Sequence, residues 1–401
     1  QTLKFGNKTW ATKVGSTLAY NDENGNYKPL PFAFTRSTSA TRVNKEGLIE
    51  VVTNDRPRID YTDTSDGVLL LEKAATNLVT YSEDFSDSSW VKSSSTITPN
   101  TSVSPDGSLN ADTLVLVANG YLLKTILYSG VSNQSITASI FAKNEITNFL
   151  GFGGATIAGT DVYSIQDYSN GWFKHIITRT FTTTQTGSIQ YIVFDEIGSH
   201  IIWGAQLEVG NVASSYIPTQ GSATTRVAET ASGSGNSEVF NDSEGVLFAD
   251  ISALDNDLTN RGITISDGSV NNRVTMFYTN VSNAIQVKVV VGGSNSLNSY
   301  IVIPNISLHN KFALKYKQND FSLFVNGFEL ITDTSGNTFS NGTLTKLAFD
   351  RGDAAEDFYG STKEIGYYDT ILTDLELETL TSYKSWTSMV NELNLNIIYN
   401  G

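Results

Sequence analysis

Phe321-Ser-Leu-Phe-Val325, Asn326-Gly327 and Phe328-Glu-Leu-Ile-Thr332 decide how this 401-residue chain reads. Two β-branched and aromatic runs are joined by two residues, and Asn-Gly accepts the positive φ angles that a type I′ turn demands. The spacing predicts a hairpin. Just upstream, Phe312, Leu314 and Tyr316 alternate with Lys311, Lys315 and Lys317. Ile285, Val287, Val289 and Val291 alternate with Gln286 and Lys288 in the same way, as strands with one buried face should. Ile136 to Lys143, Trp172 to Phe181, Ile189 to Phe194 and His200 to Leu207 are further strand candidates. Short runs of this kind, punctuated by Gly, Asn, Asp and Ser, are the pattern of sandwiches or barrels. The expected class is all-β.

One helix is expected, near the end. Thr373 and Glu376 form a T-x-x-E capping box, and Leu372 can staple onto Leu377 across it. Leu377, Leu380 and Tyr383 then share a face, and such a helix packs over the open edge of a sandwich. Ala231-Ser-Gly-Ser-Gly-Asn-Ser237 reads as a flexible linker of small polar residues. Ser39-Ala-Thr-Arg-Val43 and Ser222-Ala-Thr-Thr-Arg-Val227 nearly repeat one another and read as related junction segments.

The expected order is an N-terminal attachment and junction region (1–76), a first sandwich (77–230), the linker (231–237), a second sandwich (238–385) and a tail strand (386–401). The first 34 residues form an arm too short for a core of its own. In the tail, Leu393, Leu395, Ile397 and Ile398 recur among Asn residues. That segment reads either as a strand added to a neighbouring subunit or as the last strand of its own domain.

Composition excludes several functions. Lys and Arg number 26 against 41 Asp and Glu, a formal charge of −15. Tracking nucleic acid or an anionic bilayer needs the opposite balance. With no cysteine, disulfides, Cys-ligated zinc, iron–sulfur clusters and thiol nucleophiles are ruled out. Only His175, His200 and His309 occur, far apart, which argues against a His-rich metal site or a Ser-His-Asp triad. No apolar run approaches the ~20 residues of a membrane helix, and no signal sequence opens the chain. A chain beginning at Gln1 reads as a processed or excised piece. Only 17% of residues are charged, so Ser, Thr, Asn and Gly must make up neutral, hydrogen-bonding surfaces.

A resemblance enters with an ordered series of segments. Phe34-Thr-Arg-Ser-Thr-Ser-Ala-Thr-Arg-Val-Asn44, Gly47-Leu-Ile-Glu50, Arg56-Pro-Arg-Ile-Asp-Tyr61 and Leu70-Leu-Glu72 lead into Thr76-Asn-Leu78, Tyr81-Ser-Glu-Asp-Phe-Ser86 and Trp90. Pro105-Asp-Gly107, Ala111-Asp112, Gly171-Trp172, Ile202-Trp-Gly-Ala-Gln-Leu-Glu208 and Ser215-Tyr-Ile-Pro-Thr219 follow. This series resembles a block of tailed-bacteriophage virion proteins, the head fibres, tail fibres and related adhesins, in which it precedes a carbohydrate-binding-module-like jelly-roll. Residues 238–385 resemble a concanavalin A-like, laminin-G-like sandwich, through Gly245-Val-Leu-Phe-Ala249, the 321–332 hairpin and Thr373-Asp-Leu-Glu376. Residues 1–33 are similar to the start of such fibres from phages of Bacteroidetes hosts. The resemblance implies a virion surface location, a homotrimer and contacts with other virion proteins.

The chemistry expected is recognition. Sugar CH faces stack on aromatic rings, and sugar hydroxyls need amide, hydroxyl or carboxylate partners. Trp172, Tyr163 and Tyr168 in the first sandwich, with Tyr278 and Tyr359 in the second, are the candidate binders of bacterial or mucosal surface glycans. Trp203, flanked by Ile201 and Ile202, reads as a core plug; Trp90 and Trp172 can be read as plugs too, though Asn170-Gly171 places Trp172 at a turn. Asp350, Asp353 and Asp357, with Glu356, form an acidic loop that is either solvated or holds a structural Ca²⁺. Asp250, Asp255, Asn256 and Asp257 are a second such group. Jelly-rolls of the resembled kind often place a calcium-binding Asp in the final strand, where this chain has Ile202-Trp-Gly-Ala-Gln206 instead.

Glycoside hydrolysis needs two carboxylates flanking one bond. No E-x-D-x-x-E run occurs, and the odd offset between Glu364 and Asp369 puts those acids on opposite faces of a strand. The expectation is therefore a non-enzymatic virion fibre with an adhesin role. A purely architectural capsid or tail protein and a polysaccharide depolymerase are the rival readings.

Overall fold

The hairpin forms where its turn chemistry places it. Asn326 and Gly327 adopt φ angles of 50° and 91°, and Asp320–Val325 pairs antiparallel with Phe328–Asp333. This computed structural model describes residues 2–395 apart from 63, 144, 147–148, 154–157, 169 and 195–196. The other predicted strands form as Asn310–Lys317, Ala284–Val291, Ser135–Lys143, Trp172–Phe181, Ser188–Phe194 and Gly198–Val209. The class is all-β, a jelly-roll sandwich followed by a concanavalin A-like sandwich.

The jelly-roll is organised by one long strand, Leu109–Leu127. Its first half pairs with Gly198–Val209 and its second half with Ser188–Phe194. Asn119 lies between the halves at φ 58°, where the neighbouring strand Trp90–Val103 also slips register. Such an irregularity bends a strand, so a single strand contributes to two pairings. Trp90, Leu114, Leu122, Ile140, Tyr191 and Leu207 are buried in the resulting core.

In the second sandwich, Glu244–Ala253 pairs with Asn310–Lys317 on one side and Gly360–Tyr368 on the other. Facing it is a five-stranded sheet running from Ser294–Val302 to Lys346–Ala348. The N-terminal arm, expected to lack a core, belongs to this body. Leu3–Gly6 pairs with Gly360–Tyr368 and Val68–Leu71 extends the same edge. Phe5 is 1% exposed and meets Phe32 and Phe349 at ring-centre distances of 4.7 and 5.7 Å. Composition showed a short polar segment; the missing core is supplied by a sandwich more than 200 residues downstream.

Three further expectations need correction. Residues 231–237 are not a flexible connector: Thr230–Ser232 pairs with Phe32–Thr35, and Ser234 is buried with its hydroxyl on the Leu30 carbonyl. Two short helices replace the single one, α1 (Asp374–Thr381) and α2 (Trp386–Glu392). The capping box and the Leu372–Leu377 staple start α1 as expected, but it lies on the outer face of the sheet against Val246, Phe248, Ala313 and Phe324. The expected tail strand begins as α2, because the Ser385 side chain caps it by accepting the Ser388 N–H. Ile397 and Ile398 lie outside the described residues.

Entry to and exit from the jelly-roll are zipped together, Ala75–Asn77 against Thr224–Arg226. Beneath this zipper sit five buried charges. Glu229 accepts from Arg36 (2.6 Å) and Arg58, while Glu72 pairs with Arg58 (2.8 Å) and Arg226 (2.9 Å). Of the two near-repeat segments, Thr224–Arg226 delivers Arg226 to this network and Ala40–Val43 delivers Thr41, whose carbonyl receives Arg58 at 2.9 Å, while Arg42, the counterpart of Arg226, pairs with Glu50 instead.

Candidate functional site

A cleft of about 670 Å³ opens along the seam between the two sandwiches. Volumes of this order are typical of ligand sites. Asp60, Thr62, Thr64, Ser65 and Asp66 come from the junction block, Gln166, Tyr168 and Lys174 from the jelly-roll, and Ser252, Ser307, His309, Ser361 and Lys363 from the second sandwich. Helix α2 adds Asn391 and Glu392. The seam exists because residues flanking the zipper are shared by both bodies.

The floor carries Glu72, the member of the buried ion network that lines the cleft, with Ser214, Ser215 and Lys174. Ser215 donates through its hydroxyl and its N–H to the two Glu72 oxygens, at 2.6 and 2.9 Å. Burial pushes the Glu72 carboxyl upward, but Arg226, Arg58 and Ser215 outweigh it and hold the group down to about 2. Lys174 is 2% exposed and donates to the Ser214 carbonyl at 2.8 Å. Burial lowers the affinity of that ammonium for its proton, and Glu208 and Glu72 oppose the shift.

The remaining charges of the cleft are also engaged. Asp60 accepts the N–H groups of Val43 and Thr62 at 2.8 and 2.9 Å. Asp66 pairs with Lys8 at 2.9 Å, His309 Nδ1 lies 3.2 Å from Asp250, and Lys363 lies 3.2 Å from Glu392. Among the described residues, the side chains of Gln166, Ser65, Ser252, Ser307 and Ser361 make no hydrogen bond, and at Ser307 only the backbone N–H donates to the Asn305 side chain. What the cleft offers to an incoming molecule is therefore hydroxyl and amide groups, beside the Tyr168 ring. That ring stands edge-on to Phe141 at 4.9 Å.

Of the aromatic side chains predicted to meet sugars, Tyr168 alone lines this cleft. Trp172 and Tyr278 are 3% and 2% exposed and present no ring face to solvent. Trp172 completes a small core with Phe141 and Trp203, and the Tyr278 hydroxyl donates to the Ile251 carbonyl. The Tyr163 hydroxyl donates to the Ile146 carbonyl and receives the Phe149 N–H, 2.7 Å from His175 Nδ1. Tyr359 faces a separate cavity of about 40 Å³, donating weakly to Asp357 at 3.4 Å. Burial, with Asp357 alongside, pushes its phenol up to about 12.

The expected metal ligands do not converge. Asp350 accepts the Gly352 N–H, Asp353 is clasped by Arg351 at 2.8 Å, and Asp357 turns to Tyr359. Arg351 also takes Glu356 at 3.1 Å. In the second acidic group, Asp255 takes Asn211, Asp257 takes Arg261 and Lys73, and Asp250 takes His309. Among the described residues, no three His, Asp or Glu side chains gather in a way that could hold a metal ion. Intramolecular donors already serve these acids, cations at Asp353, Glu356 and Asp257 and neutral groups at Asp350, Asp357 and Asp255, which spacing alone could not show.

A second polar cleft of about 510 Å³ lies at the jelly-roll rim, lined by Tyr81, Glu83, Asp84, Asn100, Asn110, Asp112 and Gln220. Its inner carboxylates are structural. Asp112 accepts the N–H groups of Asn100 and Phe85 at 2.9 and 3.2 Å, and Glu83 accepts from the Tyr216 hydroxyl and the Asn110 amide at 3.0 and 3.3 Å.

No family model matches the chain, and no curated protein matches it. Among solved structures, it is similar to the CBM40 of a Ruminococcus gnavus IT-sialidase bound to α2,3-sialyllactose. That likeness has 18% identity over 38% of this chain and 94% of the other, with a TM-score of 0.30. A heptameric SAP-like pentraxin from Limulus polyphemus is 13% identical over 35% of this chain and 70% of its own, with a TM-score of 0.28. A Trypanosoma rangeli sialidase in complex with sialic acid is 11% identical over 91% of this chain and 65% of its own, with a TM-score of 0.29. Likeness at this level bears on no ligand, reaction or partner of this chain.

Proposed function

We propose that this protein is a non-enzymatic structural fibre of a bacteriophage virion, and that it holds surface glycans in the seam cleft. The carrying observation is the cleft's lining: its charges are satisfied internally, and its open groups are hydroxyls and an amide beside a tyrosine ring. A polyhydroxylated sugar suits such a surface, because each hydroxyl both donates and accepts. Single sites of this kind bind weakly, and a fibre gains avidity by presenting several copies at once. The virion setting and self-association rest on the sequence resemblance.

Non-enzymatic action is favoured by where the acids sit. A glycosidase keeps one carboxyl ready to protonate and another ready to attack or to activate water. Asp112 and Glu83, the inner acids of the rim cleft, are committed to backbone and side-chain donors.

The test is a glycan array probed with the full chain, followed by calorimetric titration of the strongest binder. The expected result is binding that Tyr168→Ala and Gln166→Ala each weaken, with no new reducing ends. Reducing-end release abolished by Glu83→Gln would replace this reading with the depolymerase one.

A further inference from the structure

We infer that the seam cleft selects uncharged glycan chains over acidic ones, and that Glu392 enforces the choice by masking Lys363. The inference rests on the glycan-binding reading above. Lys363 stands on Gly360–Tyr368, the strand shared by the N-terminal arm and the second sandwich, and it faces the cleft. Its side chain is 24% exposed, so a ligand can approach it, yet its Nζ lies 3.2 Å from Glu392 Oε2. Glu392 is itself fixed, because Ser388 one turn earlier in α2 donates to its other oxygen at 2.7 Å.

A carboxylated sugar needs an available cation, and the cleft has none to spare among the described residues. Lys8 is held by Asp66 and His309 by Asp250. Lys174 lies below the surface and donates to a carbonyl, while Arg58 and Arg226 are consumed by Glu72 and Glu229. An acidic ligand must therefore break an existing ion pair to make its own and leaves a carboxylate facing its own charge. Specificity of this kind comes from the repulsive term. A neutral sugar escapes that cost and uses the hydroxyls of Ser307 and Ser361 and the Gln166 amide.

The experiment titrates the full chain with neutral and uronate-bearing oligosaccharides of equal length, chosen from a glycan array, alongside Glu392→Gln and Glu392→Gln/Lys363→Met. Wild type is expected to bind the neutral probe more tightly. Glu392→Gln should raise the ratio of uronate to neutral affinity about fivefold, the scale of one solvent-accessible ion pair. Replacing Lys363 as well should remove that gain. A wild type that prefers the uronate probe, or a Glu392→Gln variant without the gain, overturns the selectivity and leaves glycan binding standing. Binding to no glycan overturns both.

Discussion

Arg226, on the strand leaving the jelly-roll, holds Glu72, ahead of the strand entering it, at 2.9 Å with both side chains almost wholly buried. Together with Arg58, Arg36 and Glu229 this pair clamps the root of the jelly-roll to the second body. Glu72 also lines the floor of the seam cleft, so one member of the clamp is shared with the site.

Removing one member of such a buried network strands its partner's charge. Glu229→Ala leaves Arg36 without a carboxylate and Arg58 with Glu72 alone, and should cost about 3–5 kcal/mol. Urea unfolding of the full chain measures this loss. A change below about 1 kcal/mol, the scale of an exposed pair, would show that the clamp contributes little.

Acid should loosen the clamp. Glu72 has an ordinary value of 4.5 and a folded value of about 2. A lowered folded value means the contribution is complete above the ordinary value and is lost as pH falls from about 4.5 toward 2. Its size is about 3 kcal/mol. Stability measured between pH 7 and pH 2 should fall across that window, and Glu72→Gln should flatten the fall.

The N-terminal arm should be indispensable to the second sandwich. Phe5→Ala removes a ring packed on Trp10, Phe32 and Phe349 and should cost about 3–5 kcal/mol. Gly6→Ala should also destabilise, since Gly6 sits at φ +83° and a Cβ there would overlap the Lys363 carbonyl. Limited proteolysis should then cut first within residues 238–385.

Calcium should not matter. Arg351 neutralises Asp353 and Glu356 within the loop. Adding Ca²⁺ or a chelator should therefore leave Tm unchanged, whereas a resident ion would raise it by mass action. A Ca²⁺-dependent rise would restore the metal reading of Asp350, Asp353 and Asp357.

Local chemistry was the legible part of the sequence. Asn326-Gly327, the alternation through Phe312–Tyr316 and the Thr373–Glu376 box each specify structure within a few residues. What depends on distant pairing was not legible. Nothing in Leu3-Lys-Phe-Gly6 indicates a partner at Glu364–Tyr367, and nothing in Arg351 shows that it turns back onto Asp353. Trp172 and Tyr278 have the ring chemistry of sugar binders, but rings near turns are equally good core residues, and strands elsewhere decide their burial. The charged junction residues had a usable signal. In a chain with few charges, Arg36, Arg58 and Glu72 cluster in the segments that carry the resemblance, and isolated charges beside apolar strands tend to pair inside.

Calorimetric titration of the intact chain with the array's strongest neutral oligosaccharide tests the central claim most directly, with reducing ends assayed in the same sample. The account predicts saturable heat, about tenfold weaker binding in Tyr168→Ala, and no cleavage. Absence of heat with every glycan on the array, or sugar ends accumulating with time, would contradict it.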